Sequence, residues 1–345
     1  MSILALPLSL CLASQPTLRL DKAIKKIIAE KRPISTLLLP ATLPETGDLR
    51  YRLVAEAARN GILTTFGEVP ACDDTLTCFY DGEAIDLRLP NDLCDWHAHT
   101  QFAYCGRGID IKDAADFALE LGLKTQGFAE HAFALYFPGN ALKFYWQSDR
   151  PFVEAIWATE HRARMVPYKA LVQTLRQHYQ GRVKFGLEVD LFGGGDFCLA
   201  PEDYDGWDYL IGAIHEIEGI TPKSTQKEIE HRWMEDLERL LEMPIQILAH
   251  PFRYFPWYKH DIPRHYYRPV AKRLAAKKIA AEINHHANPF ELEFFQICLE
   301  EGVKLSLGSD AHITRNIADM LPHLETLNAL GIHTAADRKA TLIEL

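Results

Sequence analysis

The chain has 345 residues, 48% hydrophobic and 24% charged, a globular balance that excludes disordered and fibrous classes. That length predicts about two domains, or one large barrel with an appendage, burying about 75% of the unfolded surface without disulfides or a folding metal. Against 47 Asp and Glu stand 37 Lys and Arg, and the resulting charge of −10 argues against a protein that lives on nucleic-acid phosphates.

The first apolar run, Met1 to Ala13, has no Lys or Arg ahead of it and is interrupted by Pro7. It reads as a first strand or apolar arm of a cytoplasmic protein rather than a signal peptide, and no run reaches the roughly 18 residues of a spanning helix. Seven Cys, with no C-x-x-C, read as ordinary cytosolic thiols. A helix is predicted over Leu20 to Lys31 with an apolar face at Ala23, Ile27 and Ile28, then a strand over Ser35 to Leu39 and a turn at Pro44 to Gly47. A second helix spans Gly47 to Asn60, where Asn60-Gly61 stops it. Short strands follow at Ile62–Phe66, Thr75–Tyr80 and Ala84–Leu89, with Asp81-Gly82 as a hairpin turn. Residues 1–90 thus form an α+β accessory region of unknown role, with no recognisable chemistry.

From residue 91 the rhythm becomes strand, loop, helix. Strand-like runs fall at Leu93–His99, Lys124–His131, Val183–Leu191, Trp207–Glu216, Ile245–Pro251, Ile279–His286 and Val303–His312. Helical patterns lie at Ile111–Leu121, Glu160–Tyr179, Gln226–Leu241, Arg264–Lys278 and Pro289–Gly302. Such alternation means parallel strands joined by right-handed crossovers. Seven units over residues 91–345 suit a (β/α) barrel, since eight units take about 250 residues. A doubly wound open sheet is the competing layout, weakened by the absence of a Gly-rich phosphate fingerprint after its first strand.

The C-terminal ends of these runs carry the chemistry. In order they hold Asp95-Trp-His97-Ala-His99, Glu130-His131, Glu188-Val-Asp190, His215, His250-Pro251, Glu282-Ile-Asn284-His-His286 and Asp310-Ala-His312. In a parallel barrel all strand C-termini open on one face. The two-residue period puts His97 with His99, and Glu188 with Asp190, on one side of their strands. A lone strand-end His is more often a hydrogen-bonded core residue than a ligand. Seven ends converging on imidazole and carboxylate point instead to divalent ions such as Zn²⁺, Mn²⁺ or Fe²⁺. His161, His178, His231, His260, His265, His323 and His333 fall in helices or loops and read as surface or capping residues.

The segments D-W-H-A-H-T, A-E-H, G-L-E-V-D, G-A-I-H, L-A-H-P and G-S-D-A-H resemble, in order and spacing, the PHP (polymerase and histidinol phosphatase) superfamily, most nearly its histidinol-phosphatase-like branch. The likeness covers about residues 91–330. It implies a distorted (β/α)₇ barrel, two to three bound divalent metals and phosphoester hydrolysis. By motif, His97, His99, Glu188 and Asp310 resemble the ligands of a first metal. Glu188 would bridge to a second held with His215 and His250, while His131 and His312 look like ligands of a third. Two features depart from that pattern. Ala129-Glu130-His131 stands where T-D-H is usual, and Tyr104-Cys105-Gly106-Arg107 replaces a third-site C-x-H. Either Cys105 substitutes as a thiolate, or the third site is weak, or two metals suffice. The arginine expected after the sixth strand for histidinol phosphate is also missing, which makes that substrate a poor expectation.

The chemistry this ligand set implies is attack by a metal-activated hydroxide on a phosphomonoester. Asp310 or His312 would handle protons, and Asp95, Glu130 or Asp190 would orient ligating imidazoles. Arg107, Arg253 and Arg315 are candidate phosphate forks, each also readable as a surface arginine. Tyr254, Trp257, Tyr258, Tyr266 and Tyr267 read equally as an aromatic wall for a substrate ring or a packed loop. Gly193-Gly194-Gly195-Asp196 lacks the Lys-Ser/Thr of a P-loop, and no G-x-S-x-G elbow supports a serine hydrolase. The expected partner is a small phosphorylated substrate, without long nucleic acid or membrane, and oligomerisation is left open. Two rivals remain: a nucleotide phosphodiesterase or nuclease on the same metals, and a non-catalytic metal-stabilised barrel.

Overall fold

The structure is a computed structural model that describes residues 2–44, 48–136, 164–192, 197–286 and 291–345. It divides into two compact units, residues 1–91 with 120–122, and residues 92–119 with 123–345.

The first unit opens with β1 (Ile3–Ala5) and two helices, α1 (Leu8–Leu12) and α2 (Pro16–Ala29). Then come β2 (Thr36–Pro40), α3 (Leu49–Arg59), β3 (Leu63–Gly67), β4 (Thr77–Tyr80) and β5 (Glu83–Asp86). The sheet order is β3-β2-β1-β4-β5, with β1, β2 and β3 parallel and β4 and β5 antiparallel. Helix α2 starts earlier than Leu20 because Pro16 sits in its first turn, where a missing N–H is harmless. Its buried stripe runs through Leu20, Ala23, Ile24 and Ile27; Ile28, one residue further round the helix, is exposed. Asp81 and Gly82 both take positive φ (48° and 85°), the two-residue turn that matches hairpin twist.

The second unit carries seven strands: β6 (Cys94–Asp95), β7 (Thr125–His131), β8 (Val183–Val189), β9 (Tyr209–Gly212), β10 (Ile247–Leu248), β11 (Ala280–Asn284) and β12 (Leu305–Gly308). Each pairs in parallel with its sequence neighbour, in the order β12 through β6. The Trp96 N–H donates to Leu307 O (2.8 Å) and the Asp310 N–H to His97 O (2.7 Å), which carries β6 back to β12 and nearly closes the ring. A distorted (β/α)₇ barrel is therefore the architecture, and the open doubly wound sheet is excluded by this sequential, returning order.

Helices α4 (Ile111–Glu120), α5 (Met165–Tyr179), α6 (Gln226–Leu240), α7 (Tyr254–Trp257), α8 (Tyr267–Lys277), α9 (Leu292–Glu300), α10 (Leu321–Ala329) and α11 (Ala335–Thr341) alternate with these strands. Thr225 and Glu228 form a reciprocal capping box that starts α6. The expected helices over Glu160–Tyr179 and Pro289–Gly302 begin in part outside the described residues. The strand expected over Leu93–His99 shortens to two residues because its later N–H groups leave the ladder for β12. Cys94, Trp96, Ala129, Tyr209, Ile211, Ala213, Ile247, Ala249 and Ala280 form a buried cluster against which Ile343 and Leu345 pack. Among the described residues, no helix is long and apolar enough to cross a membrane.

Candidate metal centre

Parallel pairing brings all seven strand C-termini to one end of the barrel, and that end holds the imidazoles and carboxylates. Two of the turns that aim them are strained. His250 and Asp310 take φ of +29° and +49°, a region that non-glycine residues rarely enter and that clusters at functional sites. His97, His99, His131, Glu188, His250 and Asp310 are all buried.

Glu188, near the end of β8, is the hub. Its Oε1 lies 2.9 Å from His250 Nε2 and 3.4 Å from His215 Nε2. Its Oε2 lies 2.7 Å from His131 Nδ1, 3.5 Å from His97 Nε2 and 3.6 Å from His99 Nε2. One carboxylate therefore faces five imidazoles. Asp310 Oδ1 adds a second anionic wall, 3.1 Å from His99 Nε2 and 3.7 Å from His97 Nε2. Burial opposes ionisation of both carboxyls. His131, His215 and His97 outweigh it at Glu188, and His97 and Arg253 at Asp310, so both stay well below the ordinary carboxylate range. Burial also disfavours charge on His97 and His215. Glu282, Asp310 and Glu188 overcome it at His97, and Asp190 and Glu188 at His215, so both hold protons more tightly than usual. His99, with His131 beside it, and His250, with Arg253 beside it, are instead kept neutral by burial first and by those like charges second.

The donor atoms fit divalent ions. Buried His97 Nε2, His99 Nε2, His131 Nδ1, Glu188 Oε2 and Asp310 Oδ1 face one another as ion pairs without hydrogen-bond geometry, a costly arrangement unless a cation completes it. Three sets of donor atoms each lie within 4.8 Å of one another: His97, His99 and Glu188; His131, Glu188 and His215; and His99, Cys105, His131 and His312. The structure thus brings together all eight expected ligand residues in overlapping sets. His131 faces Glu188 as well as the third set, and His250 meets the hub through one oxygen of Glu188.

The carboxylates behind the ligands also differ from expectation. Asp190 Oδ1 contacts His215 Nδ1 at 2.6 Å, an imidazole-orienting contact. Glu130 is bonded by the Thr100 hydroxyl and stands 3.9 Å from His99 Nδ1; burial raises its pKa to about 7. Asp95 touches no imidazole. It accepts from the His97 and Ser309 N–H groups and the Ser309 hydroxyl, and so fixes backbone.

Glu282 on β11 orients His97 through a 2.7 Å contact with Nδ1, while its other oxygen accepts the His250 N–H at 2.7 Å. The sequence placed Glu282 at a strand end without a role; the two-residue step from Glu282 to Asn284 is the signal that both face inward. Asn284 Nδ2 in turn donates to Glu282 and Asp310. Gly308 makes room for this network, since a Cβ there would lie 1.9 Å from Glu282 Oε1.

A cavity of about 280 Å³ opens over the centre, lined by Tyr104, His131, Ile214, His215, Glu216, Arg253, Tyr254, Trp257, Tyr258, His286 and His312. Arg253 donates to Asp310 Oδ2 at 2.7 Å and stands 2.8 Å from His215 Nε2. Arg107 and Arg315 are exposed and absent from this lining: the Arg107 backbone is tied to the His312 carbonyl, and Arg315 sits in a short 3-10 turn. The aromatic wall is real for Tyr254, Trp257 and Tyr258, whereas Tyr266 and Tyr267 pack with Trp233 and Phe252 respectively. His286, overlooked as a site residue, stacks on His312 at 4.2 Å. His323, read as a surface or capping residue, is buried with its Nε2 2.9 Å from Gly308 O. His161 and the Gly193–Asp196 loop lie outside the described residues.

Comparison with known proteins gives relatives of the same kind. A protein of Syntrophotalea carbinolica named "Probable phosphatase" is 29% identical over 161 residues, covering 44% of this chain and 62% of the relative. The match therefore spans less than two thirds of that relative's length. Two further proteins named as probable phosphatases, from Clostridium novyi and Clostridium acetobutylicum, are 25% and 26% identical, covering 70% and 66% of this chain and 87% and 82% of theirs. The solved structure of hisK from Listeria monocytogenes superposes on 67% of this chain and 99% of its own at 14% identity and a TM-score of 0.49. The PHP domain model matches residues 95–286, more than half of the sequence and the span from β6 to the end of the sixth barrel strand. The chain belongs to the PHP domain family.

Proposed function

We propose that this protein is a metal-dependent phosphoesterase that hydrolyses a small phosphomonoester on the second unit, with the first unit as an accessory region. The observation that supports this reading best is Glu188 facing five buried or half-buried imidazoles at ion-pair distance. His97, His99, Glu188 and Asp310 would hold one divalent ion, and Glu188 with His215 and His250 a second; Zn²⁺, Mn²⁺ and Fe²⁺ suit this nitrogen and oxygen set. Bound there, such ions supply a Lewis acid for the phosphoryl oxygen and a water acidified from 15.7 to about 7.

The chain's own groups do the rest. Arg253 is the fork that lines the cavity and can hold phosphate oxygens against the centre. Asp310 is held ionised, so it serves as ligand and anchor for Arg253 rather than as a proton donor. His312, with Nδ1 2.6 Å from the Asp310 carbonyl, turns Nε2 toward the centre, where it would act on a proton only while no third ion is bound. Burial keeps this imidazole neutral, with a pKa lowered to about 4. Tyr254, Trp257 and Tyr258 bound the space for a leaving group that carries a flat ring.

The discriminating assay compares p-nitrophenyl phosphate with bis-p-nitrophenyl phosphate, with added Mn²⁺ and after chelation. The expected result is metal-dependent cleavage of the monoester. Preference for the diester would establish the phosphodiesterase alternative, and metal binding without turnover of either would leave a non-catalytic barrel.

A further inference from the structure

We propose that Cys105 is a metal ligand in this protein, forming with His131 and His312 a third site that takes a borderline-soft ion such as Zn²⁺ in preference to Mg²⁺ or Ca²⁺. The proposal rests on the metal-centre reading above. The Cys105 sulfur and one ring nitrogen from each of His99, His131 and His312 all lie within 4.8 Å of one another. His131, buried and stacked on His99 with ring centroids 4.4 Å apart, presents its imidazole beside the thiol.

The thiol is not there by a loose loop. Residues 100–109 fold back sharply, with Ala103 N–H bonded to Thr100 O and Gln101 N–H to Ile109 O. Gly106 permits the fold, because a Cβ there would lie 1.9 Å from Thr100 O. Its neighbour Arg107 donates its N–H to the carbonyl of His312 itself, at 2.8 Å. The segment that carries Cys105 is thus pinned to one ligand-bearing strand end beside His99 and to another at His312.

The chemistry follows from sulfur. A thiolate with two imidazoles suits Zn²⁺ or Fe²⁺, whereas Mg²⁺ and Ca²⁺ take oxygen. Forming the sulfur–metal bond expels the thiol proton to solvent.

The test uses the full chain, stripped of metal and titrated with Co²⁺, read by near-ultraviolet absorption rather than by turnover. Wild type should develop a sulfur-to-cobalt charge-transfer band as its last equivalent binds. In Cys105→Ser the band should vanish and that equivalent should bind about tenfold more weakly or worse. Cys105→His should lack the band yet keep the affinity, which separates loss of a ligand from misfolding. Cobalt uptake without a sulfur band in wild type, or a band that survives in Cys105→Ser, overturns the assignment of Cys105 while leaving the other two sites intact. No cobalt uptake at all overturns this proposal together with the metal centre.

Discussion

Glu188 carries more of the centre than any other residue, because its two oxygens divide five imidazoles between them. Glu188→Gln keeps the shape and removes the charge. A metal clamp contributes several kcal/mol of transition-state stabilisation, so kcat should fall by about 10²-fold or more. His131→Ala should cost less, because Glu188 retains four other imidazoles; equal losses at saturating metal would count against this ranking. Glu282 acts through His97 and the His250 N–H. For such a supporting carboxylate, Glu282→Gln should weaken metal affinity about 10- to 100-fold, measured by competition with a chelating dye. Arg253→Ala removes a charged fork worth roughly 1.5–3 kcal/mol, so kcat/KM on p-nitrophenyl phosphate should drop about ten- to a hundredfold. An unchanged kcat/KM would transfer phosphate binding to another group.

At the scale of elements, the ends of β10 and β12 bend through positive φ to turn His250 onto Glu188 of β8 and Asp310 onto His97 and His99. Gly308 shows how tightly β11 and β12 are fitted there. Gly308→Ala should push Glu282 off His97 and lower metal affinity, while circular dichroism still reports a folded barrel; intact affinity would show that β11 can give way. In the first unit, Arg88, just after β5, joins Asp74, just before β4, through two 2.9 Å contacts. Arg88, with smaller help from the Leu76 N–H and Thr77, lowers the Asp74 pKa from 3.8 to about 2. A depressed carboxyl stabilises the fold above its unfolded pKa and loses that contribution as pH falls through the folded value. The pair is part-exposed, so Asp74→Asn should cost only about 0.5–1 kcal/mol at pH 6. The difference should shrink toward zero near pH 2, as checked by urea unfolding at both values.

For the whole molecule, metal and fold are expected to be separable. The barrel interior is filled by apolar side chains from Cys94 and Trp96 through Ala280, and Ile343 and Leu345 pack against that cluster. Chelation should therefore abolish activity while far-ultraviolet circular dichroism stays unchanged, since burial of this core does not depend on the ions. Loss of secondary structure on chelation would instead make the metals structural.

Seven strand ends bearing ligand-type residues were legible from the chain because a parallel strand has a two-residue period and a fixed direction. His97 with His99, and Glu188 with Asp190, needed nothing further. The sequence by itself determined the alternating α/β architecture and the ligand residue types. It could not say that β6 would end at Asp95 or that His131 would be shared, because those depend on how strands far apart in the chain meet. Only the tertiary structure gave Glu282 its imidazole, moved Asp95 to backbone, set Arg253 rather than Arg107 or Arg315 in the cavity wall, and brought Cys105 to His312. Each of these is a contact between segments tens of residues or more apart in the chain, and barrel closure, which no local pattern encodes, sets the distance across it.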